Sequence, residues 1–169
     1  MVRVADGMKE VMPVTAEEDV RSVRQLFEEY AASLGFDLCF QNFDQELNSM
    51  PGAYSPPAGG LFLARVNGSG VGCIGLRPFC DGIGELKRLY VVPGFRRHGL
   101  ARSLVSCAID AARSIGYREL VLDTVASMRP AFTLYQSFGF RGTEPYYANP
   151  LPDVLYFRKL LEASPVREK

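Results

Sequence analysis

The chain has no net formal charge: 19 basic side chains balance 19 acidic ones. No global field draws it to nucleic acid or to an anionic membrane, and any steering has to be local. No apolar run approaches the ~20 residues of a membrane span, and Met1 to Lys9 lacks the apolar core of a signal peptide. A cytoplasmic protein with neither nucleic acid nor membrane as partner is the expectation. Histidine occurs once, and Cys39, Cys73, Cys80 and Cys107 form no Cys-x-x-Cys pair. That argues against zinc and for no metal, leaving free, mostly buried thiols. No internal repeat or low-complexity tract is present. What is present is hydrophobic content, 47% of 169 residues, enough for one sizeable core. A single domain over 1–169 is expected, with ends fraying over about 1–8 and 162–169.

Read in order, Val11 to Val14 is a short strand, and Thr15 with Glu18 makes a capping-box pattern that opens a helix. Val20, Val23, Leu26, Phe27, Tyr30 and Ala31 give that helix one apolar face, ending near Gly35. Phe36 to Ser49 reads as a shorter helical segment carrying Phe36, Phe40 and Phe43. Pro51 to Gly60, rich in proline and glycine, reads as an irregular mobile loop. Leu61 to Val66 and Val71 to Pro78 are strands joined by a hairpin at Asn67 to Gly70, and a third strand, Glu85 to Val92, completes a meander. After a helix ending near Gly116 come a strand at Glu119 to Val125, a helix at Met128 to Phe138 stopped by Gly139, a short strand from Phe140, and a last strand at Val154 to Leu160.

The stretch from Glu85 to Ala101 carries the sharpest signal. A strand runs into Pro93, Gly94 and Phe95, then Arg96, Arg97, His98 and Gly99, after which apolar residues recur at three and four: Ala101, Leu104, Val105, Ala108, Ile109, Ala112. A glycine turn running straight into a helix leaves its first N–H groups without internal partners, at the positive end of the helix dipole. That is a site for phosphate. The Walker pattern is absent for want of Lys-Ser/Thr, and Gly-x-Gly-x-x-Gly is missing from this turn. Arg96, Gly99 and Ala101 instead fit Arg/Gln-x-x-Gly-x-Gly/Ala.

With that spacing, Glu85 to Ala101 resembles the acetyl-CoA-binding motif of the GNAT superfamily of N-acetyltransferases. Ala131 to Phe140 resembles a second motif of the same family, Ala-x-x-Leu-Tyr-x-x-x-Gly-Phe. The resemblance implies an α/β (α+β) fold: a mixed sheet of about six to seven strands flanked by helices, with two splayed central parallel strands. It implies acetyl-CoA as co-substrate, with its pantetheine arm pairing against the backbone of Leu89, Tyr90 and Val91. Its phosphates would lie at Arg96, Arg97, His98, Gly99, Leu100 and Ala101. It implies an amine acceptor, and it leaves both the acceptor's identity and the oligomeric state open, a homodimer included. Many members carry an asparagine where this chain has Met128.

Moving an acetyl group from a thioester to an amine needs a neutral amine, a donor for the carbonyl oxygen and help for the departing thiolate. A lysine-like amine with a pKa near ~10.4 costs about 4.6 kcal/mol to neutralise at pH 7. Glu85, on the strand where some family members place a catalytic glutamate, is the candidate base; the alternative is an ion pair with Lys87 or Arg88. Strand alternation puts Glu85, Lys87, Leu89 and Val91 on one face and Leu86, Arg88 and Tyr90 on the other. Tyr135, by the second motif, is the candidate acid beside the sulfur, and the Val91 N–H the candidate carbonyl donor. His98 is expected at phosphate or solvent rather than as a base. The reading is direct transfer from acetyl-CoA to a primary amine of a small molecule or protein. The alternative is a module that holds acetyl-CoA as a sensor or scaffold without turnover.

Overall fold

The alternating strands of the first half do form a meander. The computed structural model describes residues 7–162, and in it β1 (Lys9–Pro13), β2 (Gly60–Val66), β3 (Ser69–Cys80) and β4 (Ile83–Val91) pair antiparallel in sequence order. Helices α1 (Glu17–Ser33) and α2 (Phe43–Ser49) lie between β1 and β2. Helix α3 (Leu100–Ile115) leads into β5 (Glu119–Val125), which is parallel to β4. Then follow α4 (Arg129–Ser137), β6 (Arg141–Thr143) and β7 (Val154–Leu160). The sheet has seven strands in the order β1-β2-β3-β4-β5-β7-β6, so the mixed α/β architecture is present. The frayed ends expected of the chain lie outside the described residues except at Gly7, Met8 and Glu162.

Period-two alternation sends side chains to opposite faces of the sheet. Phe62, Ala64, Ile74, Leu76 and Leu86 face α3, whose Leu104, Val105, Ala108, Ile109 and Ala112 fill that core. Leu61, Leu63, Cys73 and Tyr90 face the other way, onto Val23, Leu26 and Phe27 of α1. The site owes its existence to a defect between these layers. β4 and β5 pair only from Ile83 to Glu85 against Glu119 to Val121, and beyond Glu85 the strands part.

The face assignment on β4 needs correction. Cys73 pairs with Tyr90 while Gly75 pairs with Lys87, so two steps on β3 span three on β4. The extra residue is a bulge, and Arg88 sits in it at φ +61°. Lys87 and Arg88 therefore turn to the same side, where both donate to Gln41 Oε1. Beyond the bulge Leu89 and Val91 join Leu86 toward α3, and Tyr90 joins the α1 side.

Other local expectations also change. The α1 N-cap is Ala16 with no side-chain cap, so Thr15 and Glu18 form no capping box. The Phe36 to Ser49 segment is one 3₁₀ turn at Cys39–Gln41 followed by α2, separated by Asn42 at φ +54°. The proline-rich loop is packed: Gly52–Tyr54 is a 3₁₀ turn, Tyr54 is buried against Phe27, and the Tyr117 hydroxyl donates to Ala58 O. Gly139, at φ +87°, follows the α4 C-cap Phe138 rather than forming it. Of the four free cysteines only Cys73 is buried; Cys39 and Cys80 are exposed.

Candidate active site

A cleft opens where β4 and β5 part, with a volume of about 610 Å³ including its mouth. Leu86 to Leu89 and Asp123 to Val125 form its floor, Tyr135 and Met128 one wall, and Tyr30, Leu34, Phe36 and Leu38 the other. Asn149 and Leu151 close the far side.

The glycine turn follows the end of β4, the strand whose edge parts from β5. Pro93–Phe95 is a single 3₁₀ turn, Arg97 is at φ +66° and Gly99 at φ +78°, and Gly99 is the N-cap of α3 with no side chain capping it. The first helical bond runs from Ser103 N to Gly99 O, 3.1 Å, so the N–H groups of Leu100, Ala101 and Arg102 precede it. The Leu100 side chain is buried and Ala101 packs on the core, so these two residues offer a ligand their amides alone. A Cβ at Gly99 would meet nothing within 4 Å, so the space over the turn is open. Arg97 and His98 are exposed. Arg96 is engaged inward: its Nε donates to Val91 O at 2.9 Å and its guanidinium lies 5.8 Å from the Tyr90 ring centre, tying the turn to the end of β4.

Tyr135 reaches the cleft from α4. It is 7% exposed, its ring meets Phe140 edge-on at 5.8 Å, and its hydroxyl makes no hydrogen bond among the described residues. Burial, with Tyr30 and Asp123 adding to it, pushes the phenol far above its usual range. It is a permanent donor.

Glu85 stands at the last parallel pair, before the strands part, and is 3% exposed. Its Oε1 accepts from Arg77 Nε at 2.9 Å and its Oε2 from the Tyr146 hydroxyl at 2.6 Å. Its partners are thus neither Lys87 nor Arg88, and it does not border the cleft.

The carboxylate that borders the cleft is Asp123, which the sequence reading missed. Its signal was a charge closing the apolar run Leu120, Val121, Leu122 on a central strand. Asp123 Oδ1 accepts from Lys87 Nζ at 3.2 Å, and Oδ2 accepts from the Tyr147 hydroxyl and from Asn149 Nδ2 at 3.4 Å. Desolvation pushes its carboxyl up, but Lys87, Tyr147 and Arg88 together outweigh that and hold it below its ordinary value. Burial lowers the Lys87 ammonium against the pull of Asp123 and Glu85.

Behind the floor the charges close into a neutral network. Glu46 of α2 accepts from Arg88 Nε at 3.0 Å and Arg77 Nη1 at 3.2 Å, and Arg88 lies over the Phe43 ring. Gln41 Oε1 accepts from Arg88 Nη1 at 2.7 Å and Lys87 Nζ at 3.3 Å. Gln41 Nε2 donates to the Tyr147 hydroxyl at 3.1 Å, bridging the segment after α1 to the stretch before β7. Of the expected phenylalanines, Phe36 borders the cleft and Phe43 is buried under Arg88; the Phe40 side chain lies outside the described residues.

Residues 20–140 match the family described as Acetyltransferase (GNAT) family. An uncharacterized N-acetyltransferase of Schizosaccharomyces pombe is 42% identical over 150 residues, 88% of this chain and 92% of that one. The fold is shared with an acetyltransferase of the GNAT family from Staphylococcus aureus, TM-score 0.74 at 20% identity, covering 92% of this chain and all of that one. It is shared too with an acetyltransferase from Salmonella typhimurium with its cofactor acetyl-CoA, TM-score 0.67 at 18% identity, covering 95% and 98%.

Proposed function

From the chain's membership of the GNAT family of acetyltransferases, we propose that its β4–β5 cleft transfers acetyl from acetyl-CoA directly to a primary amine, with Tyr135 assisting the departing thiolate. The observation that carries this reading is a convergence. The strands part after three residue pairs, β4 runs on through one short turn to the uncapped start of α3, and a phenol without a hydrogen bond among the described residues borders the cleft.

The residues fit the donor. Leu100 and Ala101 amides at an uncapped, open helix start would hold phosphate, with Arg97 and His98 beside them. Leu89, Tyr90 and Val91 have no β5 partner, so this β4 edge has backbone groups to offer an extended arm. The Val91 carbonyl already accepts from Arg96, which leaves its N–H as the group for the thioester oxygen. Acetyl-CoA supplies the acyl group as a thioester; everything else is the chain's work.

The raised phenol decides Tyr135's part. A hydroxyl so hard to ionise donates a hydrogen bond to a developing thiolate rather than surrendering its proton outright. A module that only held the cofactor would have no use for that donor. Glu85, with both oxygens engaged, serves in this proposal as a positioning residue that fixes Tyr146 and Arg77. Asp123, kept ionised, attracts the acceptor's ammonium. The proton then goes to solvent, at about 1.36 kcal/mol per pH unit below the amine's pKa.

We place the protein in the cytoplasm, where the exposed thiols of Cys39 and Cys80 stay reduced; no helix among the described residues is long and apolar enough to cross a membrane. The test is thiol release from acetyl-CoA against pooled amines. Release that depends on an amine supports transfer, and tight acetyl-CoA binding with no release to any amine overturns it.

A further inference from the structure

The cleft floor has an uneven supply of hydrogen-bonding groups. An ammonium has three donors, and Lys87 Nζ spends two, on Gln41 and Asp123. A guanidinium has five, and Arg88 directs three at Glu46 and Gln41. Both side chains are buried and border the cleft. On the accepting side, Gln41 Oε1 already takes two donors. Asp123 takes three of the roughly four its two oxygens can accept. So, among the described residues, the two cations that border the cleft keep N–H groups without a carboxylate or amide acceptor, beside one spare carboxylate position. The spare groups on Lys87 and Asp123 lie next to each other, because those two side chains are in contact at 3.2 Å.

Resting on the acetyl-transfer reading, we propose that the acceptor is a free α-amino acid with an apolar side chain. Its carboxylate bonds Lys87 and Arg88, and its amine lies beside Asp123.

An α-amino acid carries its anion and its amine two bonds apart, matching adjacent cationic and anionic positions that no simple alkylamine satisfies together. An alkylamine would leave buried N–H groups of Lys87 and Arg88 without partners, at a cost. Tyr30, Leu34, Phe36 and Leu38 supply an apolar wall on the acceptor side for the side chain.

The experiment compares L-phenylalanine, L-phenylalaninamide and 2-phenylethylamine as acceptors for the full chain, read as kcat/KM by thiol release. Hydrogen bonds to charged groups make the expected preference for the acid at least about tenfold over both others. In Lys87→Met the acid-to-amide ratio should fall at least severalfold, while Lys87→Arg should keep most of it. A ratio taken within one variant does not depend on how much of it is folded. The amide's amine is the less basic, so without carboxylate recognition it is the better acceptor. Equal or better use of the amide by the wild type overturns the inference. So does turnover confined to peptide N-termini or polyamines, which leaves acetyl transfer standing. Failure of every amine, with acetyl-CoA still bound, overturns the transfer reading and this inference with it.

Discussion

The Tyr135 hydroxyl makes no hydrogen bond among the described residues, while its ring packs on Phe140. Tyr135→Phe should therefore leave folding nearly unchanged and lower kcat by roughly 10²- to 10⁴-fold, with acetyl-CoA affinity by titration close to wild type. Turnover within about twofold of wild type, where chemistry limits the rate, removes Tyr135 from the chemistry. Because the phenol stays protonated, the pH–rate profile should climb toward the amine's pKa with no descending limb from this residue. Asp123 carries the matching prediction for stability. Its folded pKa lies below its ordinary value, so its contribution is complete above about pH 4 and is lost as pH falls through the depressed value. Asp123→Asn leaves the Lys87 cation buried without its partner, a loss of about 3–5 kcal/mol near neutral pH. Lys87 has a lowered pKa, so the unfolded chain binds the proton that the folded chain gives up, and the loss should shrink as pH rises toward ~10. Denaturant titrations at several pH values measure both limbs.

At the scale of elements, helices and strands whose ends are written in glycine and apolar periodicity were legible. α3 runs between Gly99 and Gly116, both left-handed, and β5 and β7 have the expected bounds. The bulge was not legible, because Arg88 at φ +61° is held there by Glu46 and Gln41 from distant segments, and nothing local in Leu86 to Tyr90 announces it. With the bulge unseen, Lys87 and Arg88 were put on opposite faces, and the charged floor of the cleft went unread. Asp123 was missed, and the parts played by Gln41 and Tyr147 went unread, for the same reason: their pattern exists only across elements 24 to 106 residues apart. The glycine turn was legible because its chemistry is local. Gly99→Glu places a carboxylate over the open helix start and forces a left-handed L-residue, which costs about 1–2 kcal/mol. Calorimetry should find acetyl-CoA binding abolished, while Gly99→Asn, which tolerates that backbone, keeps more of it. Wild-type affinity in a folded Gly99→Glu protein would put the phosphates elsewhere. The packed proline-rich loop has its own test at Gly75 of β3, where a Cβ would come within 2.5 Å of the buried Tyr54 ring. Gly75→Ala should cost about 1–3 kcal/mol in denaturant unfolding; a neutral substitution would mean that the loop yields.

For the molecule as a whole, β4 beyond Glu85 has no partner on its β5 side, and a ligand that fills the gap should support both of its edges. Acetyl-CoA at about 100 times its Kd should raise stability by roughly 2.7 kcal/mol. Amide exchange should slow at Leu86 to Val91 and at the start of α3, and an unchanged pattern there would argue against insertion between the strands. The three-pair junction of β4 with β5 also has a mechanical meaning. The sheet is two plates, β1 to β4 and β5 with β7 and β6, joined along a short perforation and stitched on one face by Glu85 to Tyr146, Lys87 to Asp123 and Gln41 to Tyr147. Load applied across it falls on those few bonds and on the packing of Leu120, Leu122 and Phe157 in the α3 core. The C-terminal plate then tears away in one piece, its own antiparallel ladders still zipped.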